Sequence, residues 1–272
     1  MKIYISADIE GVACISAPGE TDMNVQGEYA PFRRQMTAEV QAACDGAWQA
    51  GATSIVVKDA HWTGRNLDPH SLATPEGKSL QLIRGWSGHP FSMVQGIDRS
   101  FDKVMFVGYH SAAGTGGNPL SHTVSGALFA RIELNGELAS EFRLFALAAS
   151  TVGVPVAFLS GDRAQCEEAA RLVEGVVTVP IFEGLGPSVV SIAPDEAVRR
   201  IRAAAASAAK GDTPLLAIPK DFHFKLTFAR AREAYSRSFY PGAKQVSDTE
   251  LVLETSNYFD VLTFLKIASK MT

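Results

Sequence analysis

The sequence predicts an α/β protein: a three-layer α/β/α unit with a mainly parallel sheet, then a smaller C-terminal α+β unit. Two observations predict it. Over the first two-thirds of the chain, short β-branched runs alternate with segments of helical periodicity, the pattern of strand–helix–strand crossovers. A Pro/Gly-rich stretch at 180–194 (PIFEGLGPSVVSIAP) then separates these from a long helix, further strands and a last helix. At 272 residues there is chain enough for two domains, and the reading places them at 1–190 and 191–272. With 46% hydrophobic and 20% charged residues, a packed core is expected and disorder is not.

Residues 1–7 (MKIYISA) alternate and read as a strand. Residues 12–27 hold Gly, Pro, Ser and Asn and read as a loop. Met36, Val40, Ala43, Ala47 and Ala50 fall at helical spacing within 28–50, and Gly51 suits the stop. The β-branched run 54–58 (SIVVK) is a buried strand, and 103–108 (KVMFVG) is another. Residues 127–134 alternate up to Asn135-Gly136, a strong hairpin turn signal. A helix at 140–152, a strand at 156–160, a helix at 163–173 and a strand at 176–180 follow. Beyond the boundary come a helix at 195–209, strands near 214–218, 222–229 and 249–255, and a helix from about 258.

Acidic residues number 29 against 25 lysines and arginines, a net charge of −4, which argues against a nucleic-acid partner. No apolar run reaches the roughly 18 residues of a membrane span, so no membrane partner is expected. Asp8 and Glu10 interrupt the first apolar stretch, which therefore lacks a signal-peptide pattern. Cys14, Cys44 and Cys166 show no CxxC spacing and read as reduced thiols of a cytoplasmic protein.

The chemistry sits where strands end. Ligands of open α/β sheets bind beyond the carboxyl ends of the strands. Asp8 and Glu10 follow the first strand, two apart, so their side chains leave on one face. Two adjacent carboxylates repel unless a cation or a proton lies between them. Asp59-Ala60-His61 ends the second strand and Gly108-Tyr109-His110 the next. A lone Asp there is usually a turn residue and a lone His a surface one. Their joint occurrence at three strand ends points to a metal site. Nitrogen and oxygen donors suit Zn²⁺, with Mn²⁺ or Co²⁺ as substitutes. Asp8, Glu10, His61, His110 and one further carboxylate are too many for one open zinc and about right for two ions that hold a hydroxide nucleophile. Glu133, Glu137 and Glu141 are alternatives for the further carboxylate. Asp59 is read as orienting its neighbours rather than as a ligand. His122, beyond the Gly-rich 111–119 segment, is a candidate general acid/base.

These residues resemble the DppA-type zinc-dependent D-aminopeptidases, a dinuclear metallopeptidase family. The matching pieces are Ser6-Ala7-Asp8-Ile9-Glu10-Gly11, then Val57-Lys58-Asp59-Ala60-His61 with Asn66-Leu67. Pro90-Phe91-Ser92-Met93-Val94-Gln95-Gly96-Ile97-Asp98, Gly108-Tyr109-His110 and Ser121-His122 come next. Asn135-Gly136 with Glu141, Ser160-Gly161-Asp162 and Pro241-Gly242 complete the set. The resemblance is strongest over 1–162. It implies Asp8, Glu10, His61, His110 and Glu141 as ligands of two Zn²⁺, with Asp8 bridging, and His122 as the catalytic residue. It also implies release of an N-terminal D-residue such as D-Ala from short peptides or amides, and a homo-oligomer, a decameric ring.

Two other functions compete. A dinuclear phosphoesterase would want an Arg/Lys cluster beside the motifs, and none is there. A non-catalytic metal- or peptide-binding protein would have no use for His122. Asn66 is left without a role, Asp162 has a helix-cap explanation, and His223, between Phe222 and Phe224, reads as an edge-strand residue.

Overall fold

The computed structural model describes residues 1–269. β1 (Lys2–Ala7) leads through a loop to α1 (Gln26–Gln49), followed by β2 (Ser54–Asp59), β3 (Ser79–Ile83) and β4 (Lys103–Tyr109). β5 (Phe129–Leu134) and β6 (Glu137–Leu138) form a hairpin. Then come α2 (Glu141–Thr151), β7 (Val156–Asp162), α3 (Arg163–Leu172), β8 (Val177–Leu185), β9 (Ser188–Ser191) and α4 (Pro194–Lys210). The last elements are β10 (Phe222–Phe228), α5 (Ala231–Arg237), β11 (Ala243–Gln245), β12 (Glu250–Thr255) and α6 (Tyr258–Ala268).

Seven strands form one sheet in the order β3-β2-β1-β4-β7-β8-β9, parallel except for the β8–β9 pair. The period-two pleat of β1 divides its side chains between two cores. Ile3, Ile5 and Ala7 pack with Val40 and Ala43 of α1 and Ile201 of α4. Tyr4 faces the other way, into the core that holds Phe106 of β4, Phe142 and Phe145 of α2, and Leu265 of α6. All of these side chains are buried, the Val, Ile, Leu and Phe among them each worth roughly 1.5–3 kcal/mol when fully removed from water. α1 and α4 touch at Gly46, where a Cβ would sit 2.3 Å from the Arg202 carbonyl oxygen. Even alanine there would push the two helices apart.

A second, antiparallel sheet runs β11-β12-β10-β5-β6. It draws strands from both sides of the expected division at 190/191. β5 and β6 lie within 1–190 yet pair with the C-terminal strands, while α4, beyond 190, packs on α1 against the parallel sheet. The strand expected near 214–218 is absent. Pro214 opens that run and Pro219 follows it, and a proline has no N–H to give a ladder. β3, β9, β11 and α5 were not foreseen; all four have only three to seven residues.

Glu39 of α1 is fully buried. One of its oxygens accepts from the Ala13 amide (2.9 Å) and Gln35 Nε2 (2.8 Å), and the other has no hydrogen-bond partner among the described residues. Burial pushes its carboxyl up from 4.5 to about 7, against the pull of those two donors. The folded protein therefore holds a proton between these two values that the unfolded chain releases. Stability falls as pH rises from about 4.5 through 7, by roughly 3 kcal/mol for this group. Glu39→Gln keeps the shape and removes the charge. Its melting temperature should exceed the parent's by roughly 5 °C at pH 8, the gap closing towards pH 4.5. A gap independent of pH in differential scanning calorimetry would refute this.

Candidate metal centre

Parallel register sets the three strand ends side by side. Ala7 of β1 lies opposite Asp59 of β2 and Val107 of β4. The next residues continue the alignment, because the Asp8 amide donates to the Val107 carbonyl (2.8 Å) and the Ala60 amide to the Ala7 carbonyl (2.8 Å). The chain turns at once, with the Gly11 amide on the Gly108 carbonyl at 2.9 Å. Gly108 has φ +72°, and a Cβ on it would lie 2.3 Å from the Asp8 carbonyl oxygen. Only glycine meets both demands.

Asp8, Glu10, His61 and His110 thereby converge. Glu141, the first residue of α2, reaches the same point from the second core. Ser140 caps that helix by accepting from the Arg143 amide (3.0 Å), and a carboxylate in a first turn is favoured by the helix dipole. All five side chains are buried. His61 Nδ1 lies 3.4 Å from Asp8 Oδ1 and 3.0 Å from Glu10 Oε2. His110 Nε2 lies 3.6 Å from Asp8 Oδ2 and 3.5 Å from Glu141 Oε2. Two mutually close donor sets result: Asp8, Glu10 and His61, and Asp8, His110 and Glu141. Asp8 belongs to both and gives each a different oxygen.

The imidazoles are oriented by backbone carbonyls. His61 Nε2 sits 3.0 Å from the Thr21 carbonyl oxygen and His110 Nδ1 3.0 Å from that of Ser111. Each nitrogen donates there, which assigns the tautomer and turns the other nitrogen's lone pair towards the carboxylates. Lone pairs facing carboxylate oxygens are repulsive unless a cation lies between them. The orphaned atoms agree: buried Glu10 Oε2 and His110 Nε2 have no hydrogen-bond partner among the described residues. Glu10 Oε2 comes close to His61 Nδ1 but without hydrogen-bond alignment. The residues present fit divalent cations.

In the metal-free protein, protons replace the cations. Burial and then the Glu10 charge push the Asp8 carboxyl well up. Burial also pushes up on Glu10, but the His61 charge outweighs it and holds Glu10 low. At Glu141 burial is likewise outweighed, by His110, and the carboxyl falls to about 2. Burial disfavours charge on both histidines, yet Glu10 and Glu141 raise His61 and His110 well above their ordinary range. Metal uptake must displace these protons, so it weakens as pH falls.

His122 is half-buried beside the centre. Its Nδ1 lies 2.9 Å from the Leu120 carbonyl oxygen, its Nε2 3.7 Å from Glu141 Oε1, and its ring stacks on His110 at 4.4 Å. Glu10, His110 and His122 form a third close set.

The remaining singled-out residues support the centre or lie outside it. Asp59 is no part of the cluster. It accepts from the Asn66 amide and Nδ2 and from the Leu67 amide, folding the 61–67 loop, while Asn66 Nδ2 also holds the His61 carbonyl (2.7 Å). Asp162 caps α3 through the Gln165 amide and accepts from the Ser111 amide and hydroxyl, steadying the residue that orients His110. His223 is exposed on β10, opposite Glu254 of β12, in the second sheet. Thr21, Ser111 and Leu120 act through backbone carbonyls, which leave no mark on residue type.

The cluster floors a cavity of about 560 Å³. Trp62, Trp86, Met93 and Phe145 supply apolar wall, and Lys266 reaches it from α6. That volume is in the range of small-molecule sites.

Known proteins share this arrangement of chain. A solved structure, described as Zn-dependent D-aminopeptidase DppA from Bacillus subtilis, a self-compartmentalizing protease, superposes with a TM-score of 0.91 at 26% identity, covering 100% of this chain and 99% of that one. A D-aminopeptidase of Bacillus subtilis (strain 168) is 30% identical over 256 residues, 93% of this chain and 90% of the relative. The sequence model of the peptidase family described as D-aminopeptidase matches residues 1–267. With that match running through every strand end that feeds the cluster, the chain belongs to the D-aminopeptidase family.

Proposed function

We propose that this protein is a zinc-dependent aminopeptidase that releases an N-terminal D-residue, D-Ala among them, from short peptides, and that it does so at a two-ion centre. The observation that carries the two-ion reading is the division of Asp8, one oxygen towards His61 and the other towards His110. Asp8, Glu10 and His61 would hold one ion, and Asp8, His110 and Glu141 the other. Ions held there would supply Lewis-acid polarisation of a carbonyl and a water acidified towards neutral pH. The Zn-dependent Bacillus subtilis enzyme supports zinc as the metal.

The chain's own groups supply the rest. The half-buried His122 presents Nε2 at the cavity, with its other nitrogen committed to Leu120. That leaves Nε2 to carry a proton between nucleophile and leaving amine. Apolar walls beside the buried cluster lower the local dielectric and strengthen the charge interactions within. A phosphoesterase is less well supported, because Lys266 is the one Lys or Arg among the described residues of the lining. The relative described as self-compartmentalizing supports a homo-oligomer here, a decameric ring being the assembly to test by light scattering.

The experiment is metal removal. Zinc-loaded protein should carry two ions per chain and hydrolyse D-alaninamide faster than L-alaninamide. Chelation should abolish turnover, and zinc should restore it. Full activity in demetallated protein would sink the reading.

A further inference from the structure

We propose that Lys266 receives the terminal carboxylate of the peptide substrate, so that the cavity selects short peptides with a free C-terminus over their amides. The inference rests on the aminopeptidase reading and deepens it. It starts from the uneven charge of the lining. The floor gathers Asp8, Glu10 and Glu141 with His61 and His122. Away from these ligands, on α6, stands Lys266, and among the described residues of the lining no other is lysine or arginine.

Its position is built. Lys266 Nζ lies 3.5 Å from Ser92 Oγ and 5.2 Å from the Trp86 ring centroid. Trp86 is itself fixed: its Nε1 donates to the Trp62 carbonyl (2.6 Å), and Lys58 Nζ sits 3.8 Å over its ring. Lys58 is wholly buried and donates to the carbonyls of Asp59 (2.6 Å) and Gly85 (2.7 Å), tying the Trp86 segment to the end of β2. The ammonium is thus held on a wall anchored to the strand that delivers His61. A carboxylate would add to the contacts Lys266 already makes, and an ammonium–carboxylate bond is among the stronger polar contacts. A substrate whose scissile carbonyl lies at the floor would run its C-terminal side along Trp86 towards Lys266.

The test compares substrates that differ in one group: D-Ala-D-Ala and D-Ala-D-Ala amide, against zinc-loaded enzyme, with D-alaninamide as the control. The parent should favour the free acid by about tenfold in kcat/KM. Lys266→Met should bring that ratio to about one through a higher KM for the acid. Lys266→Arg should keep the preference, and Lys266→Glu should invert it. Equal use of acid and amide by the parent, with D-alaninamide still cleaved, overturns the assignment and leaves the aminopeptidase reading standing. So does a Lys266→Met protein that keeps the parent's ratio. Failure to cleave D-alaninamide overturns the aminopeptidase reading, and the Lys266 assignment with it.

Discussion

Asp8→Asn is expected to lower turnover by about three orders of magnitude or more and, on the proposed two-ion reading, to leave one zinc ion per chain or none. The carboxylate has two oxygens directed at two imidazoles, 3.4 Å to His61 Nδ1 and 3.6 Å to His110 Nε2. An amide keeps the shape but replaces one acceptor with a donor, so it cannot serve both ions. Substitutions at the outer members should be more selective. Glu10→Gln or His61→Ala should lose one ion, and Glu141→Gln or His110→Ala the other. Metal analysis after dialysis distinguishes the patterns; an Asp8→Asn protein that retains two ions would refute the bridging role. Stability should move in the opposite direction when metal is removed. Without cations, Asp8 is a buried acid pushed up by its surroundings and by the Glu10 charge. Asp8→Asn is neutral there without taking up a proton, so its metal-free form should melt no lower than the metal-free parent, while its gain on adding zinc should shrink.

How much of this was legible in the sequence differs from residue to residue. Asp8, Glu10, His61 and His110 could be read because a β-branched run fixes where a strand ends, and parallel neighbours end at the same level. Glu141 could not be chosen by spacing, since Glu133 and Glu137 stand nearby. The structure separates the three. Glu133 pairs with Lys225 across the β5–β10 ladder at 2.6 Å, Glu137 is exposed at the hairpin, and Glu141 alone opens a helix towards the cluster. Ser140 was the available signal, a capping residue just before a helical run. The second sheet was illegible for another reason. Alternation identified β5 as a strand, but its partner β10 lies about ninety residues on, and a strand's own pattern does not say which strand it pairs with. The carbonyls of Thr21, Ser111 and Leu120, which aim three histidines, could not be seen because every residue type offers one.

His122→Ala is expected to leave both ions in place and to lower kcat by about 10²- to 10⁴-fold, or about 3–5.5 kcal/mol of barrier. Retention of metal follows from what holds Glu141. Its Oε1 accepts from the Val124 amide at 2.7 Å, whereas His122 Nε2 is 3.7 Å away, so the carboxylate stays placed without the imidazole. His110 keeps its Ser111 partner and loses only the stacked ring. The rival role is concrete, because Glu10, His110 and His122 are also close enough to share an ion. A ligand role predicts that His122→Ala loses zinc and that excess zinc rescues activity. A proton-transfer role predicts full occupancy, no rescue by zinc and a KM close to the parent's. Partial rescue by added imidazole would locate the missing chemistry at that ring.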